Sequence, residues 1–226
     1  DITVALTAHS ETLVSGPTMA SAEKAIREAE KAGFTVERLI GFDVPSDACR
    51  RYFMQPAFDA WKRVDLDCRD LGKARNALAG LASGRWIAWL DADDMFSENW
   101  LATAATLLSD AAARSQKVIV HPEMNWIFDA GASVYTKPTQ DDGFVTPYYF
   151  YVRNYYDSLC MAEVETVLTV PYTHYEIANG FAFEDWAWNV ETMAAGWRHV
   201  AAKDTIIFKR RRDESLVVSS AHRRTL

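Results

Sequence analysis

Five consecutive apolar residues, Trp86-Ile87-Ala88-Trp89-Leu90, run without a break into Asp91-Ala92-Asp93-Asp94. A short apolar run bounded by polar turns is the mark of a strand buried on both faces, which occurs where helices cover both sides of a parallel sheet. In open α/β sheets, ligands bind beyond the carboxyl ends of the strands. The acidic cluster therefore falls where a ligand is expected. Its oxygens suit a hard divalent cation, Mn2+ or Mg2+, that takes its remaining ligands from water or substrate phosphate. An Asp-rich capping turn is the plainer alternative, and so apolar a strand before it weighs against that reading.

The flanking sequence repeats the strand–helix alternation. Ile2 to Leu6 reads as a buried strand. Pro17 suits a first helical turn, Ala22, Ala25, Ile26 and Ala29 recur at helical spacing, and Gly33 is a stop. Val36 to Phe42 reads as a second strand that ends in the turn Asp43-Val44-Pro45-Ser46-Asp47. Lys73 to Ser83 reads as a helix closed by Gly84, Ser97 as the N-cap of a helix through Leu108, and Val118 to Val120 as a strand. This alternation predicts an α/β fold with a mostly parallel sheet and helices on both faces. Further on, Glu184 to Ala195 reads as a helix ended by Gly196, and Ile206 to Phe208 as a last short strand before the basic run Lys209 to Arg212.

Asp-x-Asp after an apolar strand occurs in two enzyme classes. In haloacid-dehalogenase-type phosphatases the first Asp, here Asp91, is the nucleophile, and Thr or Val follows two places beyond the second. Met95 holds that place here. The second likeness is fuller. Leu71-Gly72-Lys73-Ala74-Arg75-Asn76, followed by Ala82-Ser83-Gly84 and the strand into Asp91-Ala92-Asp93-Asp94, resembles the family-2 glycosyltransferases of the GT-A fold. Val4 to Glu11 resembles that family's first strand and loop, and Asp43 to Asp47 its acidic turn after the second strand. Gly180-Phe181-Ala182-Phe183-Glu184-Asp185-Trp186 resembles its Gly-Phe…Glu-Asp motif, and Ile206 to Ser215 its closing strand and basic loop.

The resemblance implies a GT-A type architecture, a Rossmann-like sheet flanked by helices with a smaller acceptor-side part. It implies a nucleotide-sugar-binding half over 1–122 and an acceptor-binding half with the basic loop over 123–226. It implies an inverting, metal-assisted hexosyl transfer from a nucleotide sugar, a UDP-sugar before others, to a hydroxyl of a glycan or lipid-linked glycan, as in polysaccharide biosynthesis. Thr7, His9, Glu11 and Asp43 would line the nucleotide pocket, with Asp43 accepting from the base ring. Arg210 and Arg212 would face the diphosphate, and Lys73 would join the donor-binding residues. Asp91 would touch the ribose or the metal, Asp93 would bind the metal, and Asp185 would be the general base. Glu184, Trp186, Gly180 and Tyr149 would meet the acceptor. Arg212 stands where many family members carry a metal-binding His, and His222 is the substitute if the tail folds back. At a helix start, Asp185 is expected to have its pKa pulled down.

Composition narrows the partners. The net charge of −7 speaks against a general nucleic-acid or anionic-membrane binder. From Gly196 onward, however, eight Lys and Arg face three Asp and Glu, a net of +5 that leaves −12 before it. That basic segment suits either a diphosphate-closing loop or a peripheral contact with a membrane or partner domain. Cys49, Cys68 and Cys160 show no metal or disulfide spacing and read as free thiols in a reducing, cytoplasmic setting. Of the aromatics between Phe144 and Tyr156, some suit stacking on sugar rings and more suit packing; Trp188 and Trp197 read as core. The non-enzyme alternative is a carbohydrate-binding domain that kept the fold.

Overall fold

A computed structural model of the chain describes residues 1–174 and 183–212, so Gly180 and His222 lie outside the described residues. In chain order the elements are β1 (Ile2–Ala8), α1 (Ser15–Lys31), β2 (Val36–Asp43), α2 (Asp47–Phe53), β3 (Lys62–Leu66), α3 (Leu71–Leu81) and β4 (Trp86–Asp91). They continue with β5 (Met95–Phe96), α4 (Trp100–Ala113), β6 (Val118–Asp129), β7 (Ser133–Thr136), β8 (Met161–Glu163), α5 (Val164–Thr169), α6 (Glu184–Ala194) and β9 (Arg198–Arg211). Pro56–Phe58 and Pro147–Tyr151 form short 3₁₀ turns.

One sheet of nine strands carries the fold, in the order β3-β2-β1-β4-β8-β6-β9-β5, with β7 paired to β6 off this path. β3, β2, β1 and β4 are parallel, as the alternating pattern predicts. β8 then runs antiparallel to β4, and β6 and β9 run parallel to each other. The apolar run of β4 is buried from Trp86 to Leu90, with helices packed around it. The alanine stripe of α1, Ala22, Ala25, Ile26 and Ala29, has zero exposure. Trp188 and Trp197 are buried, as read from the sequence. None of the described helices is long and apolar enough to cross a membrane.

The register brings three strand ends level. Thr7 on β1 lies beside Gly41 on β2 and Asp91 on β4, so Thr7, Asp43 and Asp91 project from one edge of the parallel sheet. Gly84 sets this register from the opposite edge. A Cβ there would lie 2.6 Å from the backbone N of Thr3 and 2.7 Å from the backbone carbonyl carbon of Ile2. Backbone cannot give way as a side-chain end can, so Gly84→Ala should destabilise the protein by about 1–3 kcal/mol. Chemical denaturation checks this; an unchanged midpoint would count against the packing described.

Two expectations need correction. Ser97 does not cap α4, which starts at Trp100 after Asn99. Its backbone N–H instead donates to Ile206 O, and its hydroxyl accepts from Ile206 N–H, because the two-residue strand β5 is stitched to β9 there. The closing strand is also not short. β9 runs 14 residues, to Arg211, because its parallel pairing with β6 continues through Asp129. Lys209 and Arg210 are therefore strand residues, with fixed directions, rather than members of a loop.

Candidate active site

The site is built where β1, β2 and β4 end. The loop after β1 is shaped by Glu11, whose Oε2 accepts from the backbone N–H of His9 at 2.9 Å and of Ser10 at 3.0 Å. His9 Nδ1 meets the Asp43 carbonyl at 2.7 Å, which ties this loop to the end of β2. Asp43 Oδ1 accepts from Cys68 N–H at 2.8 Å and Arg69 N–H at 3.0 Å. Its other oxygen has no partner among the described residues. Val44 and Arg69 hold φ of 47° and 52°, and Phe183, just before Glu184, holds 69°. Left-handed backbone at non-glycine residues costs about 1–3 kcal/mol each and gathers at functional sites. Here it brackets Asp43 and the α6 start.

Asp91 accepts from the Thr7 hydroxyl at 3.2 Å and from Arg75 Nη2 at 3.4 Å, both through Oδ1. Arg75 is 1% exposed. Its Nη1 donates to Glu184 Oε1 at 2.8 Å, and its guanidinium lies 5.5 Å from the Tyr172 ring centre. One buried cation thus joins the acidic loop after β4 to the start of α6. The neighbouring Asn76 fixes this arrangement: its side chain donates to Tyr172 O at 2.8 Å and accepts from Tyr172 N–H at 2.9 Å. The Ala-Arg-Asn segment at the start of α3 is therefore a clamp between the two halves of the site.

Asp93 contacts Arg212, Nε to Oδ2 at 3.2 Å, and the same guanidinium lies 3.7 Å from Glu11. Burial raises the Asp93 pKa; Arg212 opposes this, while Asp91 and Glu11 add to it. Asp94 is buried, and both its oxygens are held by β9: Oδ1 accepts from Arg210 N–H at 2.7 Å, and Oδ2 meets Lys209 Nζ at 3.4 Å. Burial nevertheless pushes the Asp94 carboxyl up to about 7, against the pull of Lys209. Arg210 points the other way, to Asp129 at 2.7 Å, and lines with Asp93 a cavity of about 210 Å³ floored by Val14, Pro17, Met95 and Phe128. Lys73 is exposed in the first turn of α3, where its N–H donates to Asp70 at 2.7 Å.

Asp185 and Trp186, both half-buried, lie in the first turn of α6, where Asp185 Oδ1 accepts from Trp186 N–H at 2.7 Å. The expectation of a depressed pKa for Asp185 is overturned: burial, with Glu184 next to it, pushes its carboxyl up to about 7. The helix terminus and Arg75 favour the charge, but lost hydration and a like-charged neighbour outweigh them. Tyr149 sits on the 3₁₀ turn after Thr146 and stacks on Tyr155 at 4.3 Å, with Tyr148 and Tyr151 exposed beside it. All three cysteines are free.

Sequence reasoning missed the buried charges behind the cleft. Asp157 accepts from Lys137 at 3.0 Å and from Asn125, and Lys209 lies close by. Burial opposes the Asp157 charge, yet Lys137 and Lys209 hold its pKa down at about 2. The one sequence signal was a lysine at an inward position of β9, visible only once β9 is known to reach Arg211.

Among the described residues no three His, Cys, Asp or Glu side chains form a metal cage. The pair Asp91 and Asp93 still fits a hard divalent cation of the kind that completes its shell with phosphate and water. Asp91 adds to the rise in the Asp93 pKa, and each carboxylate already sits against a guanidinium, Asp91 on Arg75 and Asp93 on Arg212, so the pair attracts positive charge.

A half-parallel sheet with an acidic strand end across from a helix-borne carboxylate is the arrangement of the GT-A fold. Three solved structures share the fold. Staphylococcus aureus TarS in complex with UDP-GlcNAc matches at TM-score 0.58 and 14% identity, over 95% of this chain and 60% of TarS 1–349. The Pyrobaculum calidifontis mannosyltransferase PcManGT in complex with GDP-Man and Mn2+ matches at 0.61 and 14%, over 95% and 58%. GalNAc-T7 with UDP, GalNAc and Mn2+ matches at 0.66 and 16%, over 93% and 44%. The chain thus spans about 60% or less of the length of these relatives. No curated protein matches it in sequence. Residues 53–154 match the profile of glycosyl transferase family 2.

Proposed function

We propose that the chain transfers a sugar from a nucleotide-diphosphate donor to an acceptor hydroxyl, with inversion. The observation that carries this reading is the Arg75 bridge. It sets the Asp91 loop and the Glu184-Asp185 helix start, far apart in sequence, on two nitrogens of one guanidinium, at 3.4 Å and 2.8 Å. Around it, Thr7 joins Asp91, and a second set of contacts runs from Asp43 through His9, Glu11 and Arg212 to Asp93. The solved relatives hold UDP-GlcNAc, GDP-Man or UDP with GalNAc, and two of them hold Mn2+; both support a nucleotide-sugar donor.

Asp43 and the His9–Glu11 loop receive the base and ribose, with the unpartnered Asp43 oxygen as acceptor for the ring. Asp93, with Asp91, would hold the divalent cation, and Arg212 would be freed from Asp93 for the diphosphate, whose oxygens its fork fits. The cation, when bound, neutralises the charge of the departing diphosphate. Asp185 takes the proton of the acceptor hydroxyl as that oxygen bonds to the anomeric carbon. The bond from that carbon to the diphosphate oxygen breaks, and its electron pair leaves with the diphosphate. One displacement inverts the configuration, and no second carboxylate has to act as acid. Trp186, beside the base, and Tyr149 offer faces for an acceptor ring. The acceptor class proposed is a glycan or lipid-linked glycan.

The donor side is tested by calorimetry with UDP and Mn2+. Asp93→Ala should lose the Mn2+-dependent part of UDP binding, at least tenfold in Kd, with the melting temperature kept. Equal Mn2+-dependent binding in wild type and variant would remove Asp93 from the cation's shell.

A further inference from the structure

The two carboxylates of the proposed cation site each sit on a guanidinium, and the two guanidiniums differ in their freedom. Arg75 has 1% of its side chain exposed and divides its nitrogens between Asp91 and Glu184. Arg212 is 42% exposed; its Nε lies 3.2 Å from Asp93 Oδ2 and its Nη1 lies 3.7 Å from Glu11 Oε1. The side chains it reaches, Asp93 and Glu11, are only 10% and 11% exposed. Arg75 is therefore fixed, whereas Arg212 reaches in from the solvent side and can leave. We propose that Arg212 is an exchangeable counterion. It occupies Asp93 in the nucleotide-free protein, keeps a free divalent cation off the Asp91–Asp93 pair, and gives the pair up when a nucleoside diphosphate takes its guanidinium. Cation binding is thereby made conditional on the nucleotide. This rests on the reading of Asp91 and Asp93 as the cation's ligands.

Three observations support the assignment. First, Arg212 and a cation seek the same carboxylate. The guanidinium is at ion-pair distance from Asp93, so a second positive charge there meets an occupied contact and repulsion at close range. Second, the pair is already neutralised. Burial disfavours the charge on Asp93, and Arg212 is the largest influence opposing it, while Asp91 is paired with Arg75. The nucleotide-free pair therefore offers a free cation little net negative charge. Third, a diphosphate can replace the partners of Arg212. Its guanidinium meets Asp93 and Glu11 through one nitrogen each, at 3.2 Å and 3.7 Å, and neither contact is a two-bond fork. A diphosphate presents several oxygens to that fork. Glu11 keeps its place without Arg212, because its other oxygen, Oε2, accepts from the N–H groups of His9 and Ser10. The neighbouring basic residues are placed differently. Lys209 is on Asp94, Arg210 is on Asp129 at 2.7 Å, and Arg211 is exposed.

The test measures Mn2+ binding from the electron paramagnetic resonance signal of free Mn2+, with and without UDP. It compares wild type with Arg212→Gln, Arg212→Ala and Arg211→Gln, all checked for folding by thermal unfolding. Arg211→Gln removes the same charge one residue away, from an exposed side chain. Without UDP, both Arg212 variants should bind Mn2+ roughly tenfold or more tighter than wild type, while Arg211→Gln stays within about threefold. The factor by which UDP tightens Mn2+ binding should shrink by about the same amount. By linkage, the factor by which Mn2+ tightens UDP binding should shrink with it. A nucleotide-free Mn2+ affinity that is unchanged in both Arg212 variants, or raised equally in Arg211→Gln, would overturn the proposal. If UDP binding by wild type did not depend on Mn2+, the reading of the donor site would fall, while the nucleotide-free titration would still decide whether Arg212 shields the Asp91–Asp93 pair.

Discussion

Replacing Asp185 with Asn should lower kcat by about three orders of magnitude, the range associated with loss of a positioned general base. The fold should be unchanged. Asn keeps the size of Asp and keeps an oxygen for the Trp186 N–H that Asp185 Oδ1 now accepts. The donor KM should stay within a few fold, because nothing on the nucleotide side touches this side chain. The pH dependence gives a second check. The Asp185 carboxyl stands at about 7, pushed up by burial and Glu184, and only its ionised form removes a proton. The wild-type kcat/KM should therefore rise about tenfold per pH unit below 7 and level off above it. The residual activity of Asp185→Asn should lack that limb. A variant with wild-type kcat, or with the same acid limb, would place the base elsewhere.

The largest effect on stability is expected at Arg75. Its guanidinium is 1% exposed and serves Asp91, Glu184 and the Tyr172 ring together. Removing one partner of a buried ion pair leaves charge without compensation, at about 3–5 kcal/mol. Arg75→Met keeps the volume and removes the charge, so it should lose about that much and lower Tm by about 10 °C. Arg75→Lys should recover only part, because one ammonium cannot present two planar nitrogens to two carboxylates. The double variant Arg75→Met/Glu184→Gln should regain stability over Arg75→Met alone, since it removes one of the two carboxylates left uncompensated. Thermal unfolding of the four proteins decides this. Equal Tm for Arg75→Met and wild type would mean that the two halves of the site are not joined through this residue.

The parts of the fold legible in the sequence were those set by local pattern. The apolar run Trp86–Leu90 is the buried β4, the alanine stripe is the inner face of α1, and Gly33 and Gly196 close α1 and α6 at φ of 94° and 90°. The end of β9 was not legible. A row of basic residues reads as a solvated loop, and only pairing with β6, a partner about 80 residues earlier, makes it a strand. β3, Lys62–Leu66, was hidden for the same reason: an edge strand with charged residues carries no apolar signal.

The candidate site divides along the same line. The acidic cluster after β4 and the Glu184-Asp185 pair could be found because their spacing and context are local. The role of Arg75 could not, although its position between Ala74 and Leu78, both on the buried side of α3, was a hint. A charged residue at an apolar position needs a partner, and its partners Asp91 and Glu184 come from other elements. The Asp185 pKa was misjudged because a helix start favours an anion by a modest amount, whereas burial beside a second carboxylate depends on what packs over the helix.

The most direct test of the central claim is the release of nucleoside diphosphate from a panel of nucleotide sugars, with Mn2+ or Mg2+ present, by wild type and Asp185→Asn. The account predicts release from one donor by wild type, dependent on the cation, with the Asp185→Asn rate lower by about three orders of magnitude. No release from any donor, together with no cation-dependent nucleotide binding, would contradict it. Release of inorganic phosphate from simple phosphoesters with covalent trapping on Asp91 would contradict it as well, by giving that carboxylate the part of a nucleophile.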